Sequence, residues 1–118
     1  MSPRDPQLRL RDILASIEAI FSYTEGMSEA EFCADQLRID AVIRNFEIIG
    51  EAAGRVSEDI RARCSEVPWQ TMKNMRNFLA HVYFGVELSI VWKAIHHRLP
   101  PLVPQLRAIL DDLERGAL

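Results

Sequence analysis

Long apolar runs are the feature this 118-residue sequence most plainly lacks. No stretch approaches the roughly 18 apolar residues that a membrane-spanning helix requires, so the sequence predicts no membrane-embedded part. The first residues, Met1 to Pro6, also lack the apolar run of a secretory signal peptide. We therefore expect a cytoplasmic protein with no membrane partner.

Cysteine is scarce as well, because the chain has only Cys33 and Cys64. The two lie far apart in sequence, and no histidine stands at ligand spacing from either, which excludes a common zinc pattern. With 5 glycines and 6 prolines, the chain has no low-complexity segment. A chain of this length buries about two-thirds of its unfolded surface, so one domain over residues 1–118 can fold without metal, cofactor or disulfide.

The chain as a whole has no excess of positive charge, because its net charge is -3. That value argues against nonspecific binding to nucleic acid. The charge is unevenly distributed, however, because residues 5–60 carry five basic and twelve acidic side chains, whereas residues 61–98 carry six basic and two acidic ones. The second segment could attract a phosphate backbone, or its charge could be an ordinary feature of a solvated surface.

Helical periodicity is what the sequence contains in place of alternating strands. Apolar residues recur at i, i+3, i+4 and i+7 from Leu10 to Thr24, and the same spacing predicts a longer helix from about Asp35 to Val56. Further apolar stripes lie on either side of Gly85, and a last one runs from Leu102 to Leu113. Short connections favour antiparallel neighbours. We predict an all-α fold, an antiparallel helical bundle with four to five main helices.

Local signals predict where several of these helices begin and end. Ser28 and Glu31 have the spacing of a capping box, and Ser57 can cap a short helix. Pro100 and Pro101 are expected to end the helix before them, because proline lacks the N–H that a helix requires.

The long helix carries two further features. Gly50 and Gly54 lie inside it, where each costs up to about 1 kcal/mol relative to alanine, and close approach of another helix is one possible reason for them. A polar stripe runs along the same helix and consists of Asp40, Arg44, Glu47 and Glu51. Such a stripe is usually a solvated face, and the alternative is that it lines a cleft or a dimer interface.

The stretch from Met75 to Gly85 contains the residues with the clearest chemical potential. Arg76 offers a fixed fork of donors that matches a phosphate. His81 can exchange a proton near neutral pH. RNA supplies its own nucleophile, the 2′-hydroxyl beside the scissile phosphate, so these two groups could cut it without a metal. Asn77 could orient His81 from one turn away or cap the helix.

Ideal helix geometry does not bring these two side chains together. At 100° per residue, Arg76 and His81 point about 140° apart. Convergence therefore requires either unwinding near the end of the helix or a second copy of the chain, and the second option predicts a symmetric dimer with a composite cleft.

The segment from Arg76 to Tyr83 fits the pattern R-x4-H-x-Y, and the sequence resembles the HEPN-domain ribonuclease toxins of the HepT type. The resemblance extends over about residues 8–113. It includes the blocks at residues 40–52, 67–69, 83–86 and 90–92. Val82 stands where relatives often have an acidic residue, and Asn74 where they often have glycine.

The resemblance implies a HEPN-like helical bundle that forms a homodimer and cleaves RNA with Arg76 and His81. It also implies a partner, an MntA-like nucleotidyltransferase antitoxin that transfers AMP to Tyr83. An AMP group adds bulk and negative charge beside a site that must accept an RNA phosphate. A different class of function remains open, in which the chain is a non-catalytic binding subunit that docks the nucleotidyltransferase. His96 and His97 are expected to be a surface pair and not a metal site.

Overall fold

The computed structural model describes residues 6–78 and 88–118, and within these two ranges helices are joined by short turns and no strand occurs. Within them the α-helices are α1 (Pro6–Thr24), α2 (Glu29–Cys33), α3 (Gln36–Gly54), α4 (Glu58–Arg63), α5 (Trp69–Asn74), α6 (Leu88–Lys93) and α7 (Leu99–Glu114). A 3-10 turn, Met75–Asn77, continues α5, and a π-helical turn, Ala94–Arg98, joins α6 to α7. The predicted all-α bundle is confirmed.

The core lies where α1 packs against α3 on one side and α7 on the other. Each of these helices buries the stripe that periodicity predicts, because a 3.6-residue repeat places those positions on one face. The fully enclosed members include Leu10, Ile13, Ile17 and Ile20 from α1, Val42, Phe46 and Ile49 from α3, and Leu99, Leu102 and Leu106 from α7. Burying such side chains contributes about 1.5–3 kcal/mol each relative to leaving them exposed.

Polar contacts between α1 and α7 show that the two helices run antiparallel. Near the start of α1, Arg11 forms an ion pair with Glu114 at the end of α7. Further along α1, Glu18 pairs with Arg107, which precedes Glu114. Because these side chains are exposed, such pairs contribute at most about 1 kcal/mol each. These ion pairs favour the antiparallel orientation of α1 and α7 but contribute little to the stability of the bundle.

The predicted capping box is confirmed at the start of α2. The backbone N–H of Glu31 donates to the Ser28 hydroxyl, and the Ser28 N–H donates to the Glu31 carboxylate. The ionised Glu31 carboxylate is stabilised by the hydrogen bond from the Ser28 backbone N–H and, to a smaller extent, by the Ser28 hydroxyl, so the pKa of Glu31 is lowered. Ser57 caps α4 in the predicted manner, through its hydroxyl and the N–H of Ile60.

The prediction for Pro100 and Pro101 is wrong in detail. The two prolines occupy the first turn of α7, which begins at Leu99, and do not simply follow the end of the preceding helix. The physical reason is that the first turn of a helix does not use its N–H groups, so proline is tolerated there. The preceding residues form a π-helical turn, in which the Leu99 N–H reaches back to the carbonyl of Ala94.

No helix in residues 6–78 and 88–118 is both long enough and apolar enough to cross a bilayer.

The two cysteines differ in their surroundings, which predicts different thiol reactivity. Cys33 is exposed and Cys64 is buried. Burial, together with nearby Glu66 and Asp112, raises the pKa of the Cys64 thiol, and the reactive thiolate is then disfavoured. We expect a disulfide reagent at about pH 8.5 to label Cys33 rapidly and Cys64 only after denaturation.

The control is a Cys33→Ser variant, which should bind almost no reagent until denaturant is added. Equal rates for both thiols in the folded protein would contradict the buried position of Cys64.

Candidate active site

The candidate site begins with α5, whose position is fixed by a buried tryptophan. The indole N–H of Trp69 donates to the carbonyl of Cys64 at 3.0 Å, and this bond is buried. One turn later Met72 is completely enclosed. Trp69 and Met72 hold α5 against α3, so the C-terminal end of α5 lies at a fixed position beside α3.

The 3-10 turn that follows α5 presents Arg76 and Asn77 to solvent. Met75, which opens the turn, is 1% exposed. Phe78, which follows the turn, packs edge-on against Phe46 with ring centroids 4.8 Å apart. Both neighbours are therefore tied to the core, and the two polar side chains between them are left exposed.

Gly50 allows this turn to approach α3. A Cβ built on Gly50 would lie 2.8 Å from the carbonyl oxygen of Lys73, 2.9 Å from the backbone nitrogen of Arg76 and 3.0 Å from its Cβ. Real Cβ atoms essentially never approach other heavy atoms so closely, and two of these neighbours are backbone atoms that cannot swing away. Close approach, one explanation considered for this glycine, is confirmed. Gly54 meets only side-chain carbons of Lys73, at 3.6 Å or more.

A cavity of about 480 Å³ opens beside the turn, between α1 and α3. Its charged lining comes from three elements and comprises Arg9 and Asp12 of α1, Arg44, Glu47 and Glu51 of α3, and Arg76 of the turn. Asn77 also lines it. The cavity thus collects three guanidinium groups and three carboxylates within one open cleft.

The guanidinium of Arg76 forms a long ion pair in this cleft. Arg76 lies 3.8 Å from the carboxylate of Glu51, and both side chains are about half exposed, at 52% and 53%. The same carboxylate is 2.9 Å from Arg55, which does not line the cavity. The Arg9 Nε atom is enclosed and has no hydrogen-bond partner in the part of the chain that the structure describes. The guanidinium of Arg76 is therefore held only loosely.

Two of the predicted site residues lie in this cavity and two lie outside the described residues. Arg76 and Asn77 line the cleft together, whereas His81 and Tyr83 fall in residues 79–87. Their catalytic, supporting and modification roles remain predictions.

Most of the polar stripe of α3 lines the cleft, which was the alternative to an ordinary solvated face. Arg44, Glu47 and Glu51 line the cleft, while Asp40 accepts a hydrogen bond from Gln36 and lies away from it. Sequence reasoning missed Arg9 and Asp12 as lining residues. They stand three residues apart on α1, but the sequence gives no signal that this part of its polar face meets α3.

The described residues contain no group of three or more His, Cys, Asp and Glu side chains placed to hold a metal ion. His96 and His97 are exposed, as expected for a surface pair. The imidazole of His96 packs on Trp92 and makes a hydrogen bond with the Trp92 carbonyl.

The cleft has chemistry suited to a phosphodiester with a neighbouring hydroxyl. A guanidinium can make two parallel hydrogen bonds to phosphate oxygens and neutralise charge that develops there. Carboxylates such as Glu47 can accept a hydrogen bond from a hydroxyl group, and an amide such as Asn77 can both donate and accept.

Comparison with known proteins places this chain in the class of RNA-cleaving nucleases. The chain belongs to the ribonuclease HepT-like family, whose model matches residues 13–109. It is similar to a candidate RNase of Methanocaldococcus jannaschii, with 34% identity over 97% of this chain and 94% of the relative. It is also similar to a candidate HepT ribonuclease of Thermococcus cleftensis, with 39% identity over 79% of this chain and 84% of the relative.

Another relative from M. jannaschii combines the names gamma-glutamylcyclotransferase and candidate RNase. It is 35% identical over 96% of this chain, and the chain spans about half of its length, 51%. No solved structure matches the chain significantly.

The contact at Gly50 predicts a sharp difference between two glycine substitutions on α3. Gly50→Ala should lower the free energy of unfolding by about 1–3 kcal/mol, because the new methyl group overlaps the backbone of Lys73 and Arg76. Gly54→Ala is the matched control and should be neutral or stabilising by up to about 1 kcal/mol, since its methyl group meets ordinary contacts. Urea unfolding of both variants measures the difference, and equal stabilities would contradict the close approach.

Proposed function

We propose that this chain is a metal-independent endoribonuclease that acts as the toxin of a type VII toxin–antitoxin system. The observation that carries the proposal is the cleft in which Arg76 and Asn77 lie beside the guanidinium groups of Arg9 and Arg44. Membership of a ribonuclease family supports RNA as the polymer that enters this cleft. Each guanidinium group can make paired hydrogen bonds to phosphate oxygens, which supports binding of a phosphate there.

Cleavage would use the RNA's own 2′-hydroxyl as the nucleophile. A bond forms between the 2′-oxygen and phosphorus, the bond from phosphorus to the 5′-oxygen breaks, and the products carry a 2′,3′-cyclic phosphate and a 5′-hydroxyl. His81 acts as the general acid–base, a role typically worth about 10²- to 10⁴-fold in rate. Arg76 holds the phosphate and stabilises the charge that develops on its oxygens.

The active form would be a homodimer in which two copies of the motif face each other across one cleft. A dimer is one of two ways to bring Arg76 and His81 to the same phosphate, because five residues on an ideal α-helix leave the two side chains about 140° apart. The other way is local unwinding, and the 3-10 turn at Met75–Asn77 is a departure from α-helical geometry of that kind. A two-fold axis brings the same surface of both copies together. Each phosphodiester would then meet groups from both chains.

Regulation would come from an MntA-like nucleotidyltransferase that transfers AMP from ATP to the hydroxyl of Tyr83. Tyr83 follows His81 by two residues in the sequence. The added phosphate would bring negative charge to the neighbourhood of the catalytic groups, and the added nucleoside would occupy space there. Both effects oppose entry of an RNA phosphate by repulsion and by exclusion.

The metal-free scheme predicts that purified protein cleaves RNA equally well with and without EDTA. Arg76→Ala should lower the cleavage rate by about 10²-fold or more, because an electrostatic stabiliser of the transition state is lost. His81→Ala should have an effect of similar size. Gel analysis of RNA fragments, with mapping of cyclic phosphate ends, measures these outcomes.

The matched control is Arg55→Ala, since Arg55 pairs with the same carboxylate as Arg76 but does not line the cleft. It should keep nearly full activity. Loss of cutting on chelation would reject the metal-free scheme, and absence of cutting by wild type under all conditions would favour the non-catalytic docking role.

The regulatory scheme predicts that Tyr83→Phe cleaves RNA like the wild type but escapes inhibition by the nucleotidyltransferase. Co-expression followed by mass spectrometry of the intact chain should show added AMP on the wild type and on a Tyr23→Phe control, but not on Tyr83→Phe. The chain has two tyrosines, Tyr23 and Tyr83, so the two variants together test every tyrosine as the site of modification. AMP on Tyr83→Phe, or its equal inhibition, would show that another residue is the target.

A further inference from the structure

We infer that a second cavity beside the cleft is a binding subsite for one nucleobase of the RNA substrate, an inference that rests on the proposed function. This cavity of about 270 Å³ lies between α5, the 3-10 turn, α6 and the π-helical turn. Asn77 lines both the cleft and this cavity, so the two spaces share part of their walls at the residue next to Arg76. The cavity therefore lies close enough to receive a nucleotide that neighbours a phosphate held by Arg76.

One side of the cavity is apolar and suited to the flat face of a base. Met75, Phe78 and Ile90 line it. Phe78 is held by its edge-on contact with Phe46, and Ile90 is 38% exposed although it is a large aliphatic side chain. RNA-binding proteins stack unpaired bases on aromatic side chains, and apolar side chains can complete such a platform.

The other side of the cavity is polar and suited to the edge of a base. Thr71, Asn74 and Asn77 contribute a hydroxyl and two amides. The Asn74 side-chain oxygen accepts a hydrogen bond of 2.9 Å from the amide of Gln70, and Asn74 also lines the cavity. Side-chain amides can distinguish bases by the pattern of donors and acceptors on their edges.

Arg98 provides the charge that a nucleotide requires. It is the charged residue among those lining the second cavity, it is exposed, and it forms no ion pair within the two described ranges. A guanidinium at this place can hold the phosphate on the far side of the bound base. The cavity therefore combines an apolar platform, side-chain amides and one cation, which is the set of groups that single-stranded RNA recognition uses.

The subsite is tested by binding of RNA that cannot be cut. Fluorescein-labelled hexamers of adenosine, cytidine and uridine, each with 2′-O-methyl groups, lack the attacking hydroxyl but keep their bases. Fluorescence anisotropy gives the Kd of wild type, Asn74→Ala, Arg98→Ala and a Gln105→Ala control. Gln105 lines a neighbouring cavity together with Arg98 but does not line this one.

We expect wild type to bind the three hexamers with unequal Kd values. Asn74→Ala should reduce the ratio between the tightest and weakest hexamer by about fivefold or more, because the edge contact that discriminates bases is lost. Arg98→Ala should weaken all three by a similar factor, because a phosphate contact carries no base information. Gln105→Ala should change neither the affinities nor their ratio.

Equal binding of the three hexamers by wild type, or an unchanged ratio in Asn74→Ala, would overturn the subsite. A cleavage assay with unmodified RNA separates this result from failure of the nuclease proposal. Cutting without an Asn74-dependent ratio rejects the subsite alone. An Asn74-dependent ratio without cutting rejects the nuclease proposal and leaves the subsite standing.

Discussion

The candidate site depends on one steric constraint, the absence of a side chain at Gly50. The backbone of Lys73 and Arg76 lies so near this glycine that even one methyl group would overlap it. Because Met75 and Phe78 fasten the same turn to the core, the turn is positioned from two sides. The entropic cost of a glycine within a helix is offset by the contact that it permits. Arg76 is therefore placed mainly by backbone packing and only weakly by its partner Glu51, 3.8 Å away.

The balance of charge in the cleft has a consequence for selectivity. Three arginines face three carboxylates, so the cleft as a whole carries no large positive field. Binding of polyanions through counterion release grows with the number of phosphates neutralised, and a balanced cleft gains little from it. In the proposed function, an RNA phosphate would be bound by geometry, in contact with guanidinium groups and away from Glu47 and Glu51. Such a cleft would discriminate against bulk nucleic acid better than a uniformly basic surface.

Periodicity predicted the helices well because burial follows a repeat that is visible in sequence. The stripes of α1 and α3 are buried as expected, and the caps at Ser28 and Ser57 form. The π-helical turn and the start of α7 at Leu99 were missed, because proline is equally compatible with the end of one helix and the first turn of the next. For the site, Arg76 and Asn77 came from a local motif, whereas Arg9 and Asp12 enter through a contact between helices that no local pattern encodes.

Asn77 gains significance from the way the turn is built. On a regular α-helix, neighbouring residues point about 100° apart and serve different surfaces. Here Arg76 lines the larger cleft and Asn77 lines both spaces, so one short turn contributes to the wall of a charged cleft and to the wall of a partly apolar cavity. Gly50, Met75 and Phe78 fix this turn against the core. In the proposed scheme, the fixed turn would set the spacing between the bound phosphate and the bound base, so the identity of the base would determine which phosphate reaches Arg76.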